Sequence, residues 1–168
     1  IRYRHGELDG YASRLHYFSD WIKDNERTGL IKEYTANLPN IRKRLLSLDF
    51  MTNHVQSYPQ LKADSSLVKA MNEVESAWKR VEITYLPKEF LNLSPDELPI
   101  KSGDIIAITT SIEGLDVVHV GFAYWVGGKL HLLHASSNAM KVILDELPLY
   151  DYSKNKKAHT GVQVVRVI

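Results

Sequence analysis

His119 and His134 flank a Gly127-Gly128 pair, each inside a run of apolar and β-branched residues. Two imidazoles brought together can do base chemistry. One exchanges a proton with a nucleophile, and the other fixes its tautomer through the second ring nitrogen. Whether they meet depends on the hairpin. If Gly127-Gly128 is a two-residue turn, Val126 faces Lys129. Counting outward then puts Gly121 opposite His134 and His119 opposite Ser136. Side chains alternate between faces, so His119, Gly121, Ala123 and Trp125 share one face with Leu130, Leu132, His134 and Ser136. The two histidines become diagonal neighbours, roughly 7–8 Å apart at the backbone and within reach of each other. Gly121 is expected to leave open space beside them. Ser136 and Ser137 add hydroxyls at the same end.

The same pair admits other readings. Both histidines could be hydrogen-bonded structural residues. A one-residue slip in register would part them. They could also hold zinc, but a catalytic zinc site needs a third protein ligand. Asp104 and Asp116 are candidates without a spacing motif behind them, and His131 falls on the face away from His134. No metal and no other cofactor is expected.

The elements that must position this hairpin divide the chain in two. Residues 1–99 read as mainly helical. A loop opens the chain, and a helix is expected over about 13–26, where Leu15, Phe18, Trp21 and Ile22 make one apolar face. A second helical stretch is expected over 38–48, with Pro39 in its first turn. A third, over 64–81, carries Leu67, Ala70, Met71, Val74, Ala77, Trp78 and Val81 at helical intervals, capped by Ser65 or Ser66. Pro87, Pro95 and Pro99 punctuate a linker. Residues 100–168 read as strands over 104–109, 117–126, 129–135, 141–144 and 162–167. Helices followed by antiparallel strands make an α+β domain. Both faces of the hairpin are largely apolar, Val118, Val120, Phe122, Tyr124, Leu133 and Ala135 lining the far one. The sheet is therefore expected to be covered on both sides.

With 168 residues, 44% hydrophobic and 24% charged, the chain suits one globular domain, 1–168. Twenty-one basic against 20 acidic residues give a net charge of +1, which argues against a nucleic-acid partner. No apolar run is long enough for a membrane span. The chain has no cysteine, so thiol catalysis cannot come from these residues alone. It starts Ile1-Arg2-Tyr3-Arg4 without an initiator Met or signal peptide, and an upstream segment is expected.

Ser102-Gly-Asp-Ile-Ile-Ala-Ile, His119-Val-Gly-Phe-Ala and His131-Leu-Leu-His-Ala-Ser-Ser137 together resemble the core of the NlpC/P60 superfamily. Tyr11-Ala-Ser-Arg-Leu-His-Tyr17 and Gly114-Leu-Asp-Val-Val-His119 are similar to segments of its DUF1460 branch, the N-acetylmuramoyl-L-alanine amidase-like proteins. The resemblance spans nearly the whole chain. It implies a papain-like fold and a Cys-His-His catalytic set, with His119 as general base and His134 as orienting residue. In that family the nucleophilic cysteine sits at a helix start upstream of the segment resembling Tyr11–Tyr17. The missing N-terminal segment of the same protein would supply it, and residues 1–168 alone would be inactive.

The implied substrates are peptidoglycan fragments (muropeptides), and the implied place is the cell envelope, in the periplasm. Arg14 could pair with a stem-peptide carboxylate, with His16 and Tyr17 lining the cleft and Ser136 and Ser137 nearby. Alternatively Arg14 bridges to Glu7, Asp9 or Asp20. The expected reaction is cleavage of the N-acetylmuramoyl-L-alanine amide. Cleavage between D-Glu and the third stem residue is the nearest alternative. A non-catalytic binding domain for wall fragments and a polysaccharide glycosidase, which would need two carboxylates across a cleft, are the others.

Overall fold

The computed structural model describes all 168 residues. Along the chain come α1 (Phe18–Arg27), β1 (Ile31–Glu33), β2 (Arg42–Leu46), α2 (Phe50–Asn53), α3 (Pro59–Ala63), α4 (Ser65–Ser76), β3 (Val81–Pro87), β4 (Ile105–Thr110), β5 (Val117–Val126), β6 (Lys129–Ser136), β7 (Lys141–Leu144), α5 (Leu149–Lys154) and β8 (His159–Val167). The strands form one eight-stranded sheet in the order β2-β3-β8-β4-β5-β6-β7, with β1 also on β8. Every pairing is antiparallel. No helix is long and apolar enough to cross a membrane.

Three of the eight strands lie in the half expected to be helical, which corrects that division of the chain. The stretch 38–48 is not a helix. Asn40 takes a left-handed φ of 59°, which breaks any helical run. The following Arg42–Leu46 pairs residue for residue with β3. Likewise the helix over 64–81 stops at Ser76, and Val81 opens β3. Its start is capped by Asp64, whose carboxylate accepts the Ser66 N–H at 2.8 Å. The first helix begins at Phe18 rather than Ser13, because the preceding backbone is extended and pairs with the chain start. The Leu15 N–H donates to the Arg2 carbonyl at 2.9 Å. Asp116, from β5's approach, accepts the Ser19 N–H at 2.7 Å, an anion placed at the helix N-terminus.

Alternation sorts the central strands onto two faces. Ile106 and Ile108 of β4, with Val162 and Val164 of β8, join Leu86, Leu91, Leu98 and Leu149 in the main core. Ala107 and Val165 point the other way, under Phe18 and Ile22 of α1. Beyond α1 that second face is open. Val120, Phe122, Tyr124, Leu133 and Val142 are between 36% and 68% exposed. The expectation of cover on both sides therefore fails over β5–β7, where none of the helices lies on the outer face of the sheet. Below α1, a separate cluster of Tyr17, Leu48, Met51, Leu61 and Met71 ties the short helices together.

Two glycines are needed for what they lack. Gly127 and Gly128 both sit at positive φ (54° and 76°), as a two-residue turn matching the strand twist requires. At Gly161 a Cβ would come within 2.0 Å of the Leu86 carbonyl oxygen, so β3 and β8 can pair only over a bare Cα.

Candidate active site

The β5–β6 hairpin has the register expected from its turn. Val126 pairs with Lys129, and the ladder runs back to Phe122 opposite Leu133. His119 and His134 therefore point to the same face. Nε2 of His119 lies 2.6 Å from Nδ1 of His134, with the rings edge to face at 4.8 Å. Gly121 does not leave open space beside them. A Cβ there would lie 2.8 Å from the Leu132 side chain and from the Leu133 carbonyl oxygen. The space beside the small residue is filled by Leu132.

A third group extends the line. Nε2 of His134 is 3.3 Å from Oδ2 of Asp145. Asp145 follows β7, and His134 faces Ile143 across the β6–β7 ladder, so Asp145 is the next residue along on the same face. It is held by its own backbone: its N–H donates to the Leu132 carbonyl at 2.9 Å, and its carbonyl accepts from Nδ1 of His131 at 2.9 Å. Its second carboxylate oxygen accepts the Leu147 N–H at 2.9 Å. His131, on the opposite face from His134, thus acts on the site through the main chain. The sequence signal for Asp145 lies in the β6–β7 register, which puts it two residues past the partner of His134.

These contacts assign the hydrogens of the neutral pair. A carboxylate only accepts, so Nε2 of His134 carries its hydrogen toward Asp145. Its Nδ1 is then an acceptor, and Nε2–H of His119 donates to it. Nδ1 of His119 is left bare, with no hydrogen-bond partner in the protein. A bare imidazole nitrogen of fixed tautomer, backed by a buried imidazole and a carboxylate, is what a general base requires. Burial pushes the His119 pKa below its ordinary value, and the nearby His134 and Lys156 push it further in the same direction. Tyr152 packs edge-on against His134 at 5.9 Å and carries the Lys156 ammonium 3.2 Å over its ring.

Asp104 and Asp116 do not join this group. Asp104 is gripped by Arg166, Nε to Oδ1 at 2.8 Å and Nη2 to Oδ2 at 2.7 Å. Asp116 caps α1 and accepts the Val117 N–H at 2.8 Å. Burial raises its pKa.

The residues expected to bind substrate are split. A cavity of about 820 Å³ gathers Arg2, Arg14, His16, Tyr17 and Trp21 against the outer face of β5–β7, with His134 also in its wall. His119, Ser136 and Ser137 do not line it. Arg14 is exposed and makes no ion pair, because Asp20 is already held bidentately by Arg4 at 2.8 Å. His16 is half-buried, 3.1 Å from the Tyr11 carbonyl, and burial lowers its pKa. Tyr17 is a core residue. Its hydroxyl donates to Glu75 at 2.6 Å and accepts the Met51 N–H at 3.0 Å, so only the rest of the residue is available to the cavity. The Ser136 hydroxyl accepts the Ala139 N–H at 3.2 Å in the β6–β7 turn, and Ser137 is exposed in that turn.

The family described as N-acetylmuramoyl-L-alanine amidase-like (AmiA-like) matches residues 1–162. The chain belongs to this family. A solved N-acetylmuramoyl-L-alanine amidase from Bacteroides uniformis is 44% identical, with a TM-score of 0.93, over 99% of this chain and 70% of that one. A Bacteroides fragilis protein provisionally described as a xylanase is 47% identical, with a TM-score of 0.92, over 99% of this chain and 71% of its own. A Legionella pneumophila protein of the DUF1460 family shares the fold at 24% identity, with a TM-score of 0.66, over 99% of this chain and 66% of its own. No curated protein matches. The family is one of amidase-like peptidoglycan hydrolases.

Proposed function

We propose that the chain is the histidine-bearing part of an enzyme that cleaves the amide between N-acetylmuramic acid and L-alanine. The observation that carries this reading is the line Asp145–His134–His119, ending in a bare Nδ1, in a chain of the amidase-like family. We assign the sheet to a papain-like fold of the NlpC/P60 superfamily. The nucleophile is a cysteine thiolate brought by residues outside these 168, since the chain itself has none and covers about 70% of the amidase it resembles.

In this mechanism Nδ1 of His119 takes the proton of the cysteine thiol, and the resulting thiolate attacks the lactyl carbonyl carbon. The tetrahedral intermediate collapses as His119 protonates the departing alanine nitrogen, leaving a thioester. Nδ1 of His119 then takes a proton from water, and the hydroxide releases the muramic acid carboxylate and regenerates the thiol. His134 and Asp145 hold the imidazole's orientation and its tautomer. Arg14, unpaired on the wall of the large cavity, is the proposed anchor for a stem-peptide carboxylate. His16 and Tyr17 shape that wall, and Ser136 and Ser137 lie at the hairpin's end. The upstream segment also covers the open apolar face of β5–β7, where Val120, Phe122, Tyr124, Leu133 and Val142 stand exposed. The enzyme works in the cell envelope, on the periplasmic side. The nearest rival bond lies between D-Glu and the third stem residue.

A polysaccharide glycosidase is the second reading, raised by the xylanase description of the Bacteroides fragilis relative. It would need two carboxylates facing one sugar bond, whereas the histidine line contains only Asp145. In the intact protein His119→Ala should lower muropeptide turnover by about 10²–10⁴-fold, the range for a positioned general base. Turnover within a factor of two of wild type would remove His119 from the reaction.

A further inference from the structure

We infer that the cleft between β2 and the β4–β5 turn binds an amino-acid zwitterion, with its carboxylate on Arg44. This cleft of about 400 Å³ lies on the edge-strand side of the sheet and shares no lining residue with the larger cavity. Arg44, Arg80, Asp49 and Glu113 are its charged walls, with Ser47 and Ser111 between them. None of the four charged side chains is in an ion pair within the protein.

Arg44 is the reason for choosing a carboxylate. Its Nε and Nη2 are shut off from water and have no hydrogen-bond partner. Tyr85 lies 6.0 Å from the guanidinium carbon, which serves the flat face of the cation but not its edge. Nε–H and Nη2–H form the planar fork that grips a carboxylate bidentately. The same molecule shows that grip elsewhere: Arg166 holds Asp104 through these two atoms, at 2.8 and 2.7 Å. A buried donor pair is normally satisfied, and Arg44 is the one arginine here that buries the fork empty.

The acidic walls decide the rest of the ligand. A simple anion would be repelled by Asp49 and Glu113. A ligand that also carries an ammonium group turns that repulsion into a second contact. Asp49 is fixed for this task. Its N–H donates to the Gly114 carbonyl at 3.2 Å, and its carboxylate occupies the space a Cβ on Gly114 would need. Ile112 and Glu113 are exposed turn residues on the same cleft.

The test is a titration of the folded chain followed by NMR of the arginine Nε–H signals, using alanine, acetate and methylammonium as separate probes. Alanine is expected to shift the Arg44 signal saturably. Acetate should bind roughly tenfold more weakly, and methylammonium should not move that signal. Asp49→Asn should bring alanine down to the affinity of acetate. Glu113→Gln, on an exposed side chain of the cleft wall, should weaken alanine while leaving the spectrum of the rest of the protein unchanged. Should Arg44→Gln fail to fold, these two variants still carry the test. No saturable shift with alanine, or equal affinities for alanine and acetate, would overturn the proposal. Muropeptide turnover is not part of the readout, so this result stands apart from the fate of the amidase reading.

Discussion

The carboxylate of Asp145 faces Nε2 of His134 at 3.3 Å, and this contact sets the tautomer of His119 one ring further on. Replacing Asp145 with Ala removes the acceptor but leaves both imidazoles in place. Nitrogen NMR of the folded chain is expected to show His119 as the Nε2–H form in the parent and as a mixture in Asp145→Ala. In the intact enzyme kcat should fall by between about tenfold and 10⁴-fold, the upper figure being that for loss of a tautomer-fixing aspartate. A merely structural Asp145 would lower stability without changing the tautomer.

His119 should remain an uncharged base at lower pH than an ordinary histidine. Burial is the largest cause, followed by the neighbouring His134 and the Lys156 ammonium. Proton NMR titration of the chain should place its midpoint below 6.5. Lys156→Gln removes one of the repelling charges, so the midpoint should rise toward the ordinary value. A midpoint that falls, or stays unmoved, would mean that Lys156 does not act on His119.

His159 makes the fold sensitive to acid. It pairs with the Ser153 hydroxyl at 3.1 Å, and burial, with Lys156 and Lys88 nearby, pushes its pKa down from 6.5 to about 4. Between those two values the unfolded chain binds a proton that the folded chain refuses. Stability is therefore full above 6.5 and declines as the pH drops toward 4. Urea midpoints measured across this window should show that decline, and His159→Gln should flatten it.

Much of this was readable from residue order, and the failures have physical causes. The hairpin was fixed by Gly127-Gly128 together with strict alternation, so β5 and the pairing of His119 with His134 follow from counting. β7 was equally legible from its four residues between turns. By contrast Leu38, Ile41, Leu45 and Leu48 fall at spacings of three and four, which imitates a helix, although Arg42–Leu46 is an edge strand whose partner β3 lies far along the chain. β3 itself, Val-Glu-Ile-Thr-Tyr-Leu-Pro, follows directly on helix α4 and was absorbed into it and the linker beyond. Asp145 and Arg44 were missed for another reason. Each acquires meaning only from a second strand, and nothing in its immediate neighbours marks it.

Close approach of backbones makes two glycines irreplaceable to different degrees. At Gly121 an added methyl comes within 2.8 Å of the Leu132 side chain, which can shift, and of the Leu133 carbonyl oxygen, so Gly121→Ala should destabilise by about 1–3 kcal/mol. At Gly161 it meets the Leu86 carbonyl, which cannot move without parting β3 from β8. Gly161→Ala should be the more damaging of the two in thermal unfolding. The reverse order would mean that β3 and β8 do not approach closely at Gly161.

The central claim concerns one bond. The chain joined to the proposed cysteine-bearing segment should be incubated with a disaccharide-peptide muropeptide and the products weighed by mass spectrometry. Hydrolysis of the muramoyl amide predicts a free disaccharide ending in the lactyl carboxylate and a peptide beginning with L-alanine, both lost in His119→Ala. A disaccharide that keeps its first two stem residues, or a cleaved sugar chain with the peptide still attached, would contradict it.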